Sequence, residues 1–244
     1  MEAGGLLRVR TWGARGPLVV VLHGGPAATG EAAPIARGLS DAFRVLEPWQ
    51  RDSGGEPLTV ALHVADLHEL VSGLEGVRPA IVGESWGAML ALAYAAAHPC
   101  SAGPLVLIGC GTFDTESRSR LTATLDERAH LPSPYDFDAE SRGPSEVPFD
   151  ALAHEETWED MLLLQAEGVY PAAFESITSE VLMVHGTYDP HPGKMIRASL
   201  EPHLARLEYV ELDACGHSPW RERQAREPFF EVVRAWLEAR ATGT

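Results

Sequence analysis

The chain has 244 residues, 45% of them hydrophobic and 22% charged, the composition of a globular protein of one domain or of one domain carrying an insertion. It holds 19 basic and 35 acidic residues, a net charge of −16, and a single lysine, Lys194. That charge repels phosphate backbones and anionic lipid, so nucleic acid and membrane are not expected partners, whereas a small-molecule substrate is compatible with it. The cysteines, Cys100, Cys110 and Cys215, are odd in number and form no C-x-x-C pair, and residues 1–11 hold no long apolar run. Free thiols and a cytoplasmic location are expected, with Cys100 and Cys110 as small core residues. No motif sets an oligomeric state.

Apolar runs alternate with helical spacing along the chain. Residues 6–12 alternate as an edge strand does, 18–22 form a continuous apolar run, and 43–46 read as another short strand. Val60, Val64, Leu67, Leu70, Val71 and Leu74 share one helical stripe over 59–74. A strand at 80–82 leads into an Ala-rich helix at 85–98, stopped by Pro99. Strands follow at 105–108, 181–184 and 207–212, with helices at 194–204 and 225–240. Strand–helix alternation predicts an α/β fold: a mostly parallel central sheet with helices on both faces. Residues 112–177 break the rhythm. They hold Pro132, Pro134, Pro144 and Pro148, two weakly amphipathic segments (121–131 and 151–165) and no convincing strand. From Phe113 to Glu167 there are 14 acidic residues against 4 arginines, a net of −10. The expected organisation is a core of 1–111 and 178–244 with a short helical cap insertion at 112–177.

In such sheets ligands bind beyond the carboxyl ends of the strands. After Val82 stands Gly83-Glu84-Ser85-Trp86-Gly87, a G-x-S-x-G turn between an apolar strand and a helix. Small residues on either side let the turn tighten and push the central hydroxyl outward, so Ser85 is the expected nucleophile; a plain helix-capping serine is the simpler alternative. After Leu22 stands His23-Gly24-Gly25-Pro26, where glycine lets backbone N–H groups approach a ligand. Gly25 and Trp86 are the expected oxyanion donors, and His23 is expected to hold its loop by hydrogen bonds. Asp189, after the 181–184 strand, is the expected orienting carboxylate, with Asp114 and Asp213 as competitors. His217, after the last strand, is the expected base. His185 and His191 flank Asp189 as possible pocket residues. His63 and His68 do not share a helix face, and neither a metal nor a cofactor is expected.

These motifs, in this order, resemble the α/β-hydrolase superfamily over nearly the whole chain. Within it, His23-Gly24-Gly25-Pro26, the Trp86 of the G-x-S-x-G turn and Gln50-Arg51-Asp52-Ser53-Gly54 are similar to the proline iminopeptidase branch. Departures are Ala27 and Asp52, each where that branch has glycine, and a shorter cap. The resemblance implies a Ser85–His217–Asp189 triad, an oxyanion hole of Gly25 and Trp86, and a substrate-selecting cap. The expected activity is a serine hydrolase acting through an acyl-enzyme on a small ester or amide. An aminopeptidase, a carbon–carbon bond hydrolase and a ligand-binding or signalling protein on a hydrolase scaffold are the alternatives.

Overall fold

A computed structural model describes residues 7–74, 76–128 and 147–241. Leu6, the end of the 121–131 segment, and Pro132, Pro134 and Pro144 lie outside them. Seven strands form one sheet: β1 (Val9–Trp12), β2 (Leu18–Leu22), β3 (Arg44–Pro48), β4 (Ala80–Glu84), β5 (Leu105–Ile108), β6 (Val181–Gly186) and β7 (Leu207–Leu212). Their order is β1-β3-β2-β4-β5-β6-β7, and β1, paired to β3, is the antiparallel member. The mostly parallel α/β architecture is as the alternation predicts.

The central strands are apolar without a break because both faces are buried. Val20, Leu22, Ile81, Leu105, Leu107, Val181 and Met183 face one core, with α2 (Val60–Ser72), α3 (Trp86–Ala97) and α6 (Gly193–Leu200). Their neighbours in sequence, Val19, Val21, Val82, Val106, Leu182 and Val184, face the other, with α1 (Ala33–Leu39) and α7 (Arg226–Ala241). Alternation along one strand thus serves two hydrophobic layers.

Helix α1 has no counterpart in the sequence reading. At seven residues it is too short to show periodicity; its signals are Pro34 in the first turn and the buried Ile35, Ala36 and Leu39. Helix α6 ends at Leu200 rather than at 204, because Pro202 can neither donate to the helical ladder nor tolerate the preceding turn. Cys100 is exposed, not a core residue, since it sits in the turn after α3, while Cys110 and Cys215 are buried; all three are free thiols.

Between β5 and β6 the described residues form α4 (Thr115–Arg128), α5 (Ala151–Ala166) and a 3-10 turn at Ala172–Ser176, with no strand. Several acidic residues here are docking groups. Asp150 accepts from Ser53 N–H at 2.8 Å and from its hydroxyl at 2.9 Å. Glu156 accepts from Leu58 N–H at 3.0 Å, and Asp160 from Val60 N–H at 2.7 Å. They supply acceptors to orphan amides before and within the first turn of α2. Glu155, Glu159 and Glu167 are exposed. Among the described residues no helix is long and apolar enough to cross a membrane.

α1 and α7 pack through Gly38, where an added Cβ would stand 2.1 Å from Cζ of the buried Phe230. Gly38→Ala should therefore destabilise the fold by about 1–3 kcal/mol through overpacking. Thermal unfolding followed by circular dichroism checks this, at roughly 2–4 °C of Tm per kcal/mol.

Candidate active site

The carboxyl ends of β2, β4, β5, β6 and β7 lie along one edge of the sheet, and the loops leaving them bring the expected site residues to that edge. Ser85 follows β4 with φ 52° and ψ −114°, a conformation strained for any residue with a Cβ. It stands at the N-cap of α3, yet its hydroxyl makes no cap hydrogen bond, so the helix-capping alternative fails. The strain is imposed by packing. A Cβ at Gly83 would stand 2.2 Å from Gly87 O, and one at Gly87 would stand 2.4 Å from Leu22 O. The glycines of the G-x-S-x-G turn let strand, turn and helix meet this closely.

Asp189 and His217 come from adjacent loops that are laced together. Thr187 N–H donates to Leu212 O at 2.9 Å and Tyr188 N–H to Cys215 O at 2.8 Å. His217 Nδ1 lies 3.0 Å from both Asp189 carboxylate oxygens. Both side chains rest over Gly109: a Cβ there would be 2.8 Å from the His217 ring and 3.2 Å from Asp189 Oδ2. Ser85 reaches the same stretch from the other side, its N–H donating to Ile108 O at 2.7 Å. The fold thus gathers the three residues around the end of β5. Among the described residues no hydrogen bond joins Ser85 Oγ to His217. Catalytic hydrogen bonds commonly tighten only when substrate is bound. The competitors do other work: Asp114 caps α4 through Ser117 N–H and Oγ, each at 2.7 Å, and Asp213 lies in the turn after β7 without engaging the imidazole.

Burial alone would raise the Asp189 carboxyl. The charge of His217 and hydrogen bonds from His191 and His217 outweigh it and hold Asp189 well below the ordinary carboxylate range. Burial alone would lower the His217 imidazole. The charge and hydrogen bond of Asp189, helped by the charges of Glu84 and Glu222, overcome that and raise it above 6.5.

Three further residues support the site, and two of them, Glu84 and Glu222, have no mark of that role in the sequence. Glu84, buried between Gly83 and Ser85, accepts from Gly24 N–H at 2.8 Å and fixes the glycine loop; burial raises its carboxyl. Glu222, also buried, accepts from Gly216 N–H at 2.7 Å, beside His217. Gln50, the first residue of the Gln50-Arg51-Asp52-Ser53-Gly54 motif, bridges two loops. Its side chain donates to His23 O at 3.0 Å and accepts from the Trp86 indole N–H at 2.7 Å. His23 itself accepts from Gln50 N–H through Nε2 at 3.2 Å, and burial lowers its imidazole to about 4. Gly25 has φ 27°. Trp86 is the first residue of α3, where backbone N–H groups lack a helical acceptor. Phe149 Cε2 stands 4.0 Å from where a Gly25 Cβ would be, and Phe149 is 57% exposed, an apolar wall over the glycine loop.

The alpha/beta hydrolase family model matches residues 19–232. The chain belongs to the alpha/beta hydrolase family. Its resemblance to proline iminopeptidases is local: 37% identity over 100 residues to that of Neisseria gonorrhoeae, covering 37% of this chain and 32% of the relative. The Arabidopsis thaliana enzyme gives 36% over 100 residues, 37% of this chain and 26% of the relative. The matched region therefore spans about a third or less of these relatives. Among solved alpha/beta hydrolase structures, a serine hydrolase involved in carbazole degradation superposes with TM-score 0.73 at 18% identity, covering 96% of this chain and 95% of that one. The enol-lactonase of Burkholderia xenovorans gives TM-score 0.69 at 22% identity, with 95% and 96% covered.

Because its folded-state value is raised, His217 in ionised form stabilises the fold below pH 6.5, and that contribution is lost as pH rises through the raised value. Imidazole NMR titration should place the His217 midpoint above 6.5, and Asp189→Asn should lower it by about one pH unit or more. An unshifted midpoint in the variant would show that Asp189 does not govern the ring.

Proposed function

We propose that this protein is a serine hydrolase that cleaves small esters or amides through an acyl-enzyme. The observation that carries the reading is a strained serine with an uncommitted hydroxyl, its backbone N–H bonded to the end of the strand over which the hydrogen-bonded Asp189–His217 pair rests. In this reading Ser85 Oγ attacks the carbonyl carbon as His217 Nε2 takes its proton. The carbonyl oxygen becomes an oxyanion held by the N–H groups of Gly25 and Trp86, the loops that Glu84 and Gln50 brace. His217 then gives the proton to the departing alkoxide or amine. Water, deprotonated by His217, attacks the acyl-Ser85 ester, and its proton returns to Ser85 as the acid leaves. Asp189 keeps the ring proton on Nδ1 and stabilises the transient imidazolium. The segment 112–177 acts as the cap, with Phe149 offering an apolar surface to the acyl group.

A panel of p-nitrophenyl esters of increasing chain length tests this. Ser85→Ala should lose about 10⁴–10⁶ in kcat and all labelling by a fluorophosphonate. The base must be neutral and its midpoint is raised, so kcat/KM should fall as pH drops through a value above 6.5. Full activity in Ser85→Ala, or turnover of a diketone alone, would refute the ester or amide reading. Labelling without turnover of any ester would favour a binding protein.

A second reading, an aminopeptidase, is favoured by the local likeness to proline iminopeptidases. Asp150, Glu156 and Asp160 are committed to core amides. Any carboxylate that grips a substrate amine must therefore be another one. If such a grip exists, amino-acyl arylamides should be cleaved with a free amine and lost on N-acylation; equal rates on the two would end this reading.

A further inference from the structure

The Asp189 carboxylate has more imidazole partners than acyl transfer uses. Its Oδ1 lies 3.0 Å from His217 Nδ1 and 3.1 Å from His191 Nδ1, and also accepts the His191 backbone N–H at 2.9 Å. The His191 and His217 rings lie side by side, centroids 4.5 Å apart and planes 16° apart. A third imidazole, His185, is buried with neither ring nitrogen hydrogen-bonded, and its Nδ1 stands 3.6 Å from Asp189 Oδ2. A carboxylate that orients one base needs only one such ring.

Two imidazoles and a carboxylate are a donor set that zinc and its neighbours bind well. One donor atom from each of Asp189, His191 and His217 lies within 4.8 Å of the others. A tetrahedral zinc with arms of about 2.0–2.1 Å has edges of about 3.3 Å between donors. The two nitrogen–oxygen separations of 3.0 and 3.1 Å therefore need to open by only a few tenths of an ångström. The His191 and His217 side chains are 17% and 30% exposed, so both rings border solvent although Asp189 itself is buried. Glu84 and Glu222 add negative potential at His217.

The geometry points to a site for a divalent transition-metal ion, zinc foremost, on Asp189, His191 and His217, whose occupation switches hydrolysis off. Binding itself does not depend on the hydrolase reading; the inhibition does. With His217 hydrogen-bonded to Asp189, the ring proton is on Nδ1 and the Nε2 lone pair is free for Ser85. An ion bound at Nδ1 needs the lone pair of that nitrogen, so in the neutral His217 ring, and likewise in His191, the one proton moves from Nδ1 to Nε2. No proton or electron is gained or lost by the ring, but Nε2 becomes a donor and cannot accept from Ser85.

The test uses the full chain with Co²⁺ as spectroscopic probe and Zn²⁺ as competitor and inhibitor. Wild type and Ser85→Ala should both take up Co²⁺ with the absorption of a low-coordinate nitrogen–oxygen site, and Zn²⁺ should displace it and raise Tm. Zn²⁺ should abolish p-nitrophenyl ester hydrolysis over the same concentrations that displace Co²⁺. In His191→Gln and His191→Phe, each checked for a cooperative melt, binding should weaken at least about tenfold. Whatever hydrolysis each variant retains should need correspondingly more Zn²⁺ to stop. Unchanged Co²⁺ affinity in both folded variants, or inhibition of them at the wild-type concentration, would overturn the site. His191-dependent Co²⁺ binding in a wild type without esterase activity would support the metal site and count against the hydrolase reading alone.

Discussion

A carboxylate with 1% of its side chain exposed, inside a protein of net charge −16, must be held by compensating donors. Asp189 meets that demand through His217, His191 and the His191 backbone N–H. Stripped of them it would be an unpaired buried charge, one of the costlier defects a fold can carry. Much of the local structure serves this interaction. The lacing of 187–188 onto the loop after β7 sets the distance between carboxylate and ring, and Glu222 ties down the amide beside His217. The same interaction raises the imidazole, joining the chemistry proposed for the site to the stability of the loops that build it.

The glycine loop and the start of α3 are held by a second polar network. Gln50 bridges His23 and Trp86, and Trp86 meets the buried His63 edge-on, with ring centroids 6.0 Å apart. His63 Nε2 in turn lies 3.0 Å from the hydroxyl of Thr157 on α5. The excursion between β5 and β6 is thereby connected, through hydrogen bonds and a buried ring contact, to the loops proposed to carry the oxyanion donors. Its other attachments are Asp150, Glu156 and Asp160 on core amides, and Arg128 stacked 3.7 Å over the Tyr188 ring beside Asp189. The acidic residues counted in the sequence divide in the structure into ones that accept from backbone amides, Asp150, Glu156 and Asp160, and exposed ones such as Glu155, Glu159 and Glu167.

Much of the fold was legible. Continuous apolar runs such as Val19–Val20–Val21 declare strands buried on both faces, and β5 and β7 have the bounds their sequence suggests. The G-x-S-x-G turn was legible for a related reason: backbone crowding at Gly83 and Gly87 admits no side chain, so the requirement is written as residue identity. Helix α1 was not legible, because seven residues span barely two turns and leave no period to detect. The early stop of α6 lay in a proline whose effect depends on where the helix began.

By itself the sequence determined the strand–helix rhythm, the strained serine turn and the order in which serine, carboxylate and histidine follow their strands, since each depends on neighbours within a few residues. Only the tertiary structure decided that Gln50 and Glu84 brace the glycine loop, that Asp150, Glu156 and Asp160 accept from the amides of Ser53, Leu58 and Val60, and that Asp189 is shared among several imidazoles. Those contacts join residues far apart along the chain. A buried glutamate or a second histidine carries no local mark of its partner, because the partner is chosen by how the sheet brings the loops together.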